Sequence, residues 1–132
     1  MNRTRWTILA LLVAAALILT GHDTPANARP STWTPYRSAV ASVYGPGLYG
    51  NRTACGQTLR RGTLGVAHKT LPCGRRVLIR SRGRRVIVRV IDRGPYVHGR
   101  EFDLTEATTR RLGYRSWKQF GVRRIYVRTA RR

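Results

Sequence analysis

Residues 76–92 read RVLIRSRGRRVIVRVID. β-branched residues fill both halves, and Ser81-Arg82-Gly83-Arg84 joins them. The pattern predicts strands over Arg76–Arg80 and Arg85–Asp92 with a hairpin turn between. Along the second strand Val86, Val88 and Val90 alternate with Ile87, Arg89 and Ile91. One face is aliphatic and the other mostly so, as in a small sheet closed into a barrel. Asp92-Arg93-Gly94-Pro95 breaks the strand sharply. Upstream, SAVASVY at 38–44 alternates like a strand and Gly45-Pro46-Gly47 ends it. Leu48–Arg61 reads as loop, Thr63–His68 as a short apolar segment and Leu71–Gly74 as a turn. Downstream, DLTEATTRRL at 103–112 predicts a short helix. Asp103 is its expected N-cap, Glu106 the capping-box partner, and Gly113 lies just past the last turn. Gly121–Arg128 predicts a final strand. With about five or six short strands and one helix, the class is mainly β.

The chain is 132 residues long, which allows one compact domain. Its 26 Lys and Arg stand against 5 Asp and Glu, a formal charge of +21. So few carboxylates exclude an acidic pocket. Hydrophobic residues make up 42% and cluster in runs, which argues against intrinsic disorder. The charge favours anionic partners: nucleic acid, anionic lipid or an anionic wall polymer. Arg3 and Arg5 precede an apolar run from Ile8 to Leu19 and then Ala26-Asn27-Ala28. That order predicts a cleavable export signal over 1–28. The run is short for a membrane span, no cysteine follows it for lipidation, and no stable membrane insertion is expected after cleavage. The expected remainder has a linker at 29–37, a domain at 38–129 and a basic tail at 130–132. It keeps 24 basic and 4 acidic residues, a charge of +20. A secreted or wall-associated protein meets wall polymers rather than a specific nucleic acid. Of the basic residues 24 are Arg, which suits bidentate contacts and equally reflects a GC-rich coding sequence.

Cys55 and Cys73 are the two cysteines. In an oxidising compartment they are expected to form one disulfide, worth roughly 3 kcal/mol by loop closure. With His68 and His98 they match no zinc spacing, and neither a metal nor a cofactor is expected. After the signal the carboxylates are Asp92, Glu101, Asp103 and Glu106. Glu106 and Asp103 have capping roles to fill, and Glu101 beside Arg100 reads as a solvated charge. Asp92, at the end of an apolar strand and the start of a Gly-Pro turn, sits where a barrel mouth presents side chains. It is the foremost acid/base candidate, with an Asx-turn as the structural alternative. His68 is either a buried hydrogen-bonded residue or a partner of Asp92 across the barrel. Tyr49 and Tyr96 lie in the loops beside these motifs, where an aromatic ring can stack on a ligand.

TACGQT (53–58), GVAHKTLPCG (65–74) and VRVIDRGPYVHGREFDLTEATTRRLG (88–113) together resemble the rare lipoprotein A-like double-psi β-barrel family, related to expansins and barwin-like domains. The resemblance runs from about Ala39 to Val127. It implies a six-stranded double-psi barrel with a groove for glycan. It also implies an exported protein acting on peptidoglycan, in some members as a lytic transglycosylase. The family's active-site Glu, His and Asp fall here on Gln57, His68 and Asp92. Gln57 can hydrogen-bond a sugar but cannot exchange a proton. The lipidation cysteine and the C-terminal peptidoglycan-binding repeat of the family have no counterpart in this sequence, and the cysteine pair resembles a disulfide-bearing branch. The resemblance therefore implies Asp92 and His68 as catalytic residues, with Gln57, Tyr49, Arg93, Tyr96 and Asp103 around the substrate. Two functions follow: a lytic transglycosylase working through Asp92, and a non-catalytic, expansin-like module, likewise monomeric, that grips peptidoglycan or anionic wall polymers through Arg.

Overall fold

The computed structural model describes residues 32–131. The expected signal over 1–28, the first three linker residues and Arg132 lie outside them. Six strands close into one barrel: β1 (Arg37–Val43), β2 (Val66–Ala67), β3 (Arg76–Ser81), β4 (Arg84–Asp92), β5 (Phe102–Leu104) and β6 (Arg123–Thr129). The order around the barrel is β1-β5-β2-β4-β3-β6, and β6 returns to β1. Two pairings are parallel, β1 with β5 and β2 with β4, and the others are antiparallel. This is the double-psi barrel that the sequence motifs imply. The predicted β3–β4 hairpin is present, and Arg82 and Gly83 both take positive φ in its two-residue turn. Turns of that hand match the twist of the flanking strands.

Alternation fills the barrel. Val77, Ile79, Val88, Val90, Phe102, Leu104, Ile125 and Val127 point inward and form the main core with Leu112, Tyr114 and Phe120. A second cluster, Tyr44, Leu59, Ala67 and Ile91, lies under the Leu48–Arg61 loop. Ile91 belongs to it because β4 carries an extra residue: Val66 pairs with Val90, but the next residue, Ala67, pairs with Asp92. Gly65 makes room for that side chain. A Cβ on Gly65 would lie 2.5 Å from Ile91 Cδ1.

The structure corrects three expectations. Residues 102–104 are strand, not helix, because Phe102 and Leu104 are fully buried around Asp103, the whole segment pairs with β1, and Asp103 and Leu104 also pair with β2. Burial of two large apolar side chains outweighs a cap. The helix, α1, is Glu106–Arg111, with Thr105 as N-cap accepting from the Thr108 N–H. Asp103 is therefore not the cap and Glu106 is not a capping-box partner. A second short helix, α2 (Trp117–Phe120), starts at Ser116, whose side chain accepts from the Gln119 N–H. The expected linker is, from Thr32, tied to the end of β6: Thr34 N–H bonds Thr129 O at 2.9 Å and Arg131 N–H bonds Thr32 O at 2.7 Å. Among the described residues no helix is long and apolar enough to cross a membrane.

Candidate functional site

Asp92 ends β4, and its parallel neighbour β2 hands over to the His68 turn beside it. Its carboxylate is held from three sides. Oδ1 accepts the backbone N–H groups of Ala54 and Arg93, each at 2.8 Å, and Oδ2 accepts the Tyr44 hydroxyl at 3.0 Å. The Arg93 bond is a local turn bond of the kind expected for Asp. The Ala54 bond reaches across 38 residues, and the next residue, Cys55, is disulfide-bonded to Cys73 with Cα atoms 5.7 Å apart. Cys55 N–H also bonds Ile91 O at 3.2 Å. The disulfide thus pins the 53–58 loop over the end of β4.

Tyr44, Leu48, Asn51, Arg52, Thr53, Leu59 and Asp92 line a cavity of about 150 Å³. Tyr44 forms its buried wall. Burial pushes its phenol well above the usual tyrosine range, and the charges of Asp92 and Asp103 push it further. The hydroxyl stays protonated and acts as a fixed donor to Asp92. Asp103 sits on the other side of β2, since Ala67 pairs with both Asp92 and Asp103. Ser42 Oγ donates to it in a very short contact. Tyr44 and the two aspartates therefore gather on one face.

His68 does not join that group. It is buried, its ring 4.8 Å from that of Phe102 on the main core side. Nδ1 accepts from the N–H groups of Thr70 (3.1 Å) and Leu71 (3.0 Å). The neutral ring then carries its proton on Nε2 and donates to Glu101 at 3.3 Å. Desolvation lowers its pKa, with Glu101 opposing. Its link to Asp92 is a backbone bond, His68 N–H to Asp92 O at 3.2 Å. Glu101, expected as a solvated charge, is instead the partner of His68 and of Arg37, which grips both its oxygens. The hydrogen bond from Arg37 holds its carboxyl below the usual range. No signal in the sequence marked that triad, because its members are 33 and 64 residues apart along the chain.

The other expected residues divide. Gln57 is exposed on the loop beside the cavity, its Oε1 accepting the Thr53 hydroxyl at 3.2 Å. Arg93 directs its guanidinium to His68 O (3.1 Å) and Leu71 O (2.8 Å), bracing the 68–71 turn. Tyr49 is half-buried and donates to Glu106 at 2.7 Å, which with Arg110 lowers the Glu106 pKa. Tyr96 is 78% exposed and its face is open to a ligand. Both cysteines are in the disulfide, and among the described residues no three His, Cys, Asp or Glu side chains converge as metal ligands.

A family model described as lytic transglycolase matches residues 38–127. The chain belongs to the lytic transglycolase family. Among curated proteins it is 43% identical over 79 residues to the endolytic peptidoglycan transglycosylase RlpA of Pasteurella multocida, covering 58% of this chain and 27% of that one. It is 43% identical over 90 residues to that of Pseudomonas aeruginosa strain PAO1, covering 67% of this chain and 25% of that one. The chain spans between 21% and 35% of the length of the curated relatives it matches. Two solved structures share the fold over 74% of this chain at 23% identity. One is the Streptomyces papain inhibitor, with a TM-score of 0.57 and 96% of that chain covered. The other is an expansin of Clavibacter michiganensis, with a TM-score of 0.56 and 51% covered. This lytic transglycolase barrel thus holds Asp92 at a cavity wall, with His68 joined to it by a backbone hydrogen bond.

Proposed function

We propose that this chain cleaves glycan strands of peptidoglycan as a lytic transglycosylase, with Asp92 as its acid/base. The observation that carries the reading is the carboxylate itself, fixed at a cavity wall by two backbone N–H groups and the Tyr44 phenol. A positioned group of this kind can pass a proton both ways. Asp92 gives its proton to the oxygen of the MurNAc–GlcNAc bond as that bond to muramyl C1 breaks. The muramyl 6-hydroxyl then attacks C1, and its proton returns to Asp92. The products are a 1,6-anhydro-muramyl end and a free 4-hydroxyl, and one carboxylate suffices where hydrolysis uses two. Oδ2, with its single phenolic donor, is the oxygen left to exchange the proton.

In this reading His68 is a positioning residue that fixes the turn against Asp92. Gln57, Tyr96 and Asp103 contact the glycan around the cavity, and Tyr49 and Arg93 hold the surrounding loops. Residues 38–129 form the working domain, the segment 1–28 exports it and is removed after Ala28, and the chain works as a monomer at the wall.

Digestion of purified peptidoglycan tests this. Wild type should release anhydro-muropeptides and Asp92→Asn should release none. Absence of such products from folded wild-type protein at high load sinks the enzyme. Gln57, standing where the family resemblance places a glutamate, favours the second reading, a module that binds wall glycan without cutting it. Retention on the wall without any product would select that reading.

A further inference from the structure

The charges of this barrel are sorted. All four carboxylates of the described residues are engaged by protein donors: Asp92 by Tyr44, Glu101 by Arg37, Asp103 by Ser42 and Glu106 by Tyr49. Each lies at the C-terminal end of β4, around β5 or at the start of α1. The outer face of β4, β3 and β6 carries none. Its outward positions hold Arg85, Ile87 and Arg89 on β4, Arg76, Leu78 and Arg80 on β3, and Arg124, Tyr126 and Arg128 on β6. The register sets Arg76 directly opposite Arg89, and Arg80 directly opposite Arg85. Like charges in such cross-strand positions repel. The ion pairs among the described residues are Arg37–Glu101, His68–Glu101 and Arg110–Glu106, so none relieves these two pairs.

Two of these guanidinium groups are also held by aromatic rings. Arg80 lies between the rings of Tyr36 (4.7 Å) and Tyr126 (5.3 Å), and Arg76 lies over Trp33 (5.1 Å). A guanidinium held over a ring keeps N–H donors that can fork onto an oxyanion. Between the two arginine rows of β3 and β4 stand Leu78 and Ile87, with Arg128 of β6 opposite Leu78, and the apolar pair opens into a groove of about 540 Å³ rimmed by Arg85 and Arg111. Along β3 the two rows stand about 13 Å apart, four residues at strand rise.

We propose that this face binds a linear phosphodiester polymer of the cell wall, at a site separate from the Asp92 cavity. It rests on the wall location proposed above but not on glycan cleavage. A flexible chain of anions spaced by sugar- or polyol-sized links can meet cations set in successive rows along such a face, with its uncharged links over Leu78 and Ile87. Single-stranded nucleic acid is the less suited phosphodiester, because binding it draws on open aromatic faces and those of Tyr36 and Trp33 are covered by guanidinium.

The test is retention on purified wall sacculi, before and after hydrofluoric acid removes their phosphodiester-linked polymers. Wild type should be retained at least tenfold better on untreated walls, with the difference vanishing at high salt. Arg76→Gln/Arg80→Gln/Arg85→Gln/Arg89→Gln should lose that advantage while its digestion of stripped peptidoglycan equals wild type. Arg60→Gln/Arg100→Gln/Arg115→Gln/Lys118→Gln, matched in charge but outside β3, β4 and β6, should keep it. Should the first variant fail to fold, Arg85→Gln/Arg89→Gln, which breaks neither aromatic stack, replaces it with the same expected direction. Equal retention on both walls, equal loss in the matched variant, or displacement by duplex DNA at equal phosphate concentration would each overturn the proposal. Loss of digestion alone, with retention intact, would instead count only against glycan cleavage.

Discussion

Gly65→Ala isolates the contact on which the end of β4 is built. The added Cβ would sit 2.5 Å from Ile91 Cδ1, 2.7 Å from Cγ1 and 3.0 Å from Cγ2. Carbon atoms prefer about 3.5–4.0 Å, so Ile91 must move within a closed cluster of Tyr44, Leu59 and Ala67. Overpacking of this kind costs about 1–3 kcal/mol. The backbone at Gly65 is outside the left-handed region, so alanine also gains about 0.4–1 kcal/mol from the less flexible unfolded chain. The net loss is about 1–2 kcal/mol, a fall in Tm of about 5–15 °C for a domain of this size. The sharper result is the sign change in a second background. Ile91→Ala removes all three of the nearest atoms, at a cost of about 2–5 kcal/mol. With Ile91 gone, Gly65→Ala should become neutral or stabilising, a coupling of about 1.5–3 kcal/mol between the sites. Urea unfolding of wild type, both single variants and the double variant measures it. Additivity within about 0.5 kcal/mol, or a rise in Tm for Gly65→Ala alone, would refute the steric account.

Two further outcomes follow from the site. Replacing Cys55 and Cys73 by serine should cost roughly 3 kcal/mol from loop closure, seen as a lower urea midpoint, and should free the Ala54 N–H from Asp92, seen as faster amide exchange at Ala54; unchanged exchange there would contradict the pinning role. Acid should weaken the fold in two stages. Burial depresses the His68 pKa below its ordinary 6.5, so the unfolded chain takes the proton first and stability falls as pH drops from 6.5 to the folded value. Glu101 and Glu106, with pKa values below the ordinary 4.5, contribute stability present above that value and lost as pH falls through their folded values. His68→Asn keeps an acceptor for the Thr70 and Leu71 N–H groups without titrating. Its melting should be flat across the first stage, and an unchanged acid slope would rule His68 out as its source.

The hairpin at 76–92 was legible because its signals are local: alternation, β-branching and a glycine turn. β5 was not, because DLTE at 103–106 carries a sound helix-start pattern. What overrides it is the pairing of Phe102–Leu104 with strands some 40 and 60 residues upstream, which no window contains. α2 had a signal, Ser116 three residues before Gln119, but four residues are too few for helical periodicity to show. At the site, Asp92 stood out by elimination, since so few carboxylates were available. The Tyr44 hydroxyl and the Ala54 N–H could not be read, since both reach Asp92 only after closure of the barrel and of the disulfide. Glu101 was misread for the same reason: its sequence neighbour Arg100 suggested a partner, while the fold supplies Arg37 and His68.

The last strand made is the one that shuts the barrel. β6 is inserted between β1 and β3, pairing Arg37 with Val127 and Ile79 with Val127 on its two sides. A chain growing from its N-terminus can form the β3–β4 hairpin early, but β1 and β3 keep open edges until residue 129 is available. Contacts this distant in sequence make closure slow. An open edge in the interval is a template for pairing with another chain, and charged side chains along it discourage that. Arg37 on β1 and Arg76 and Arg80 on β3 line those waiting edges. Before the barrel exists, its arginines already act as gatekeepers that keep one unfinished copy from zipping onto the next.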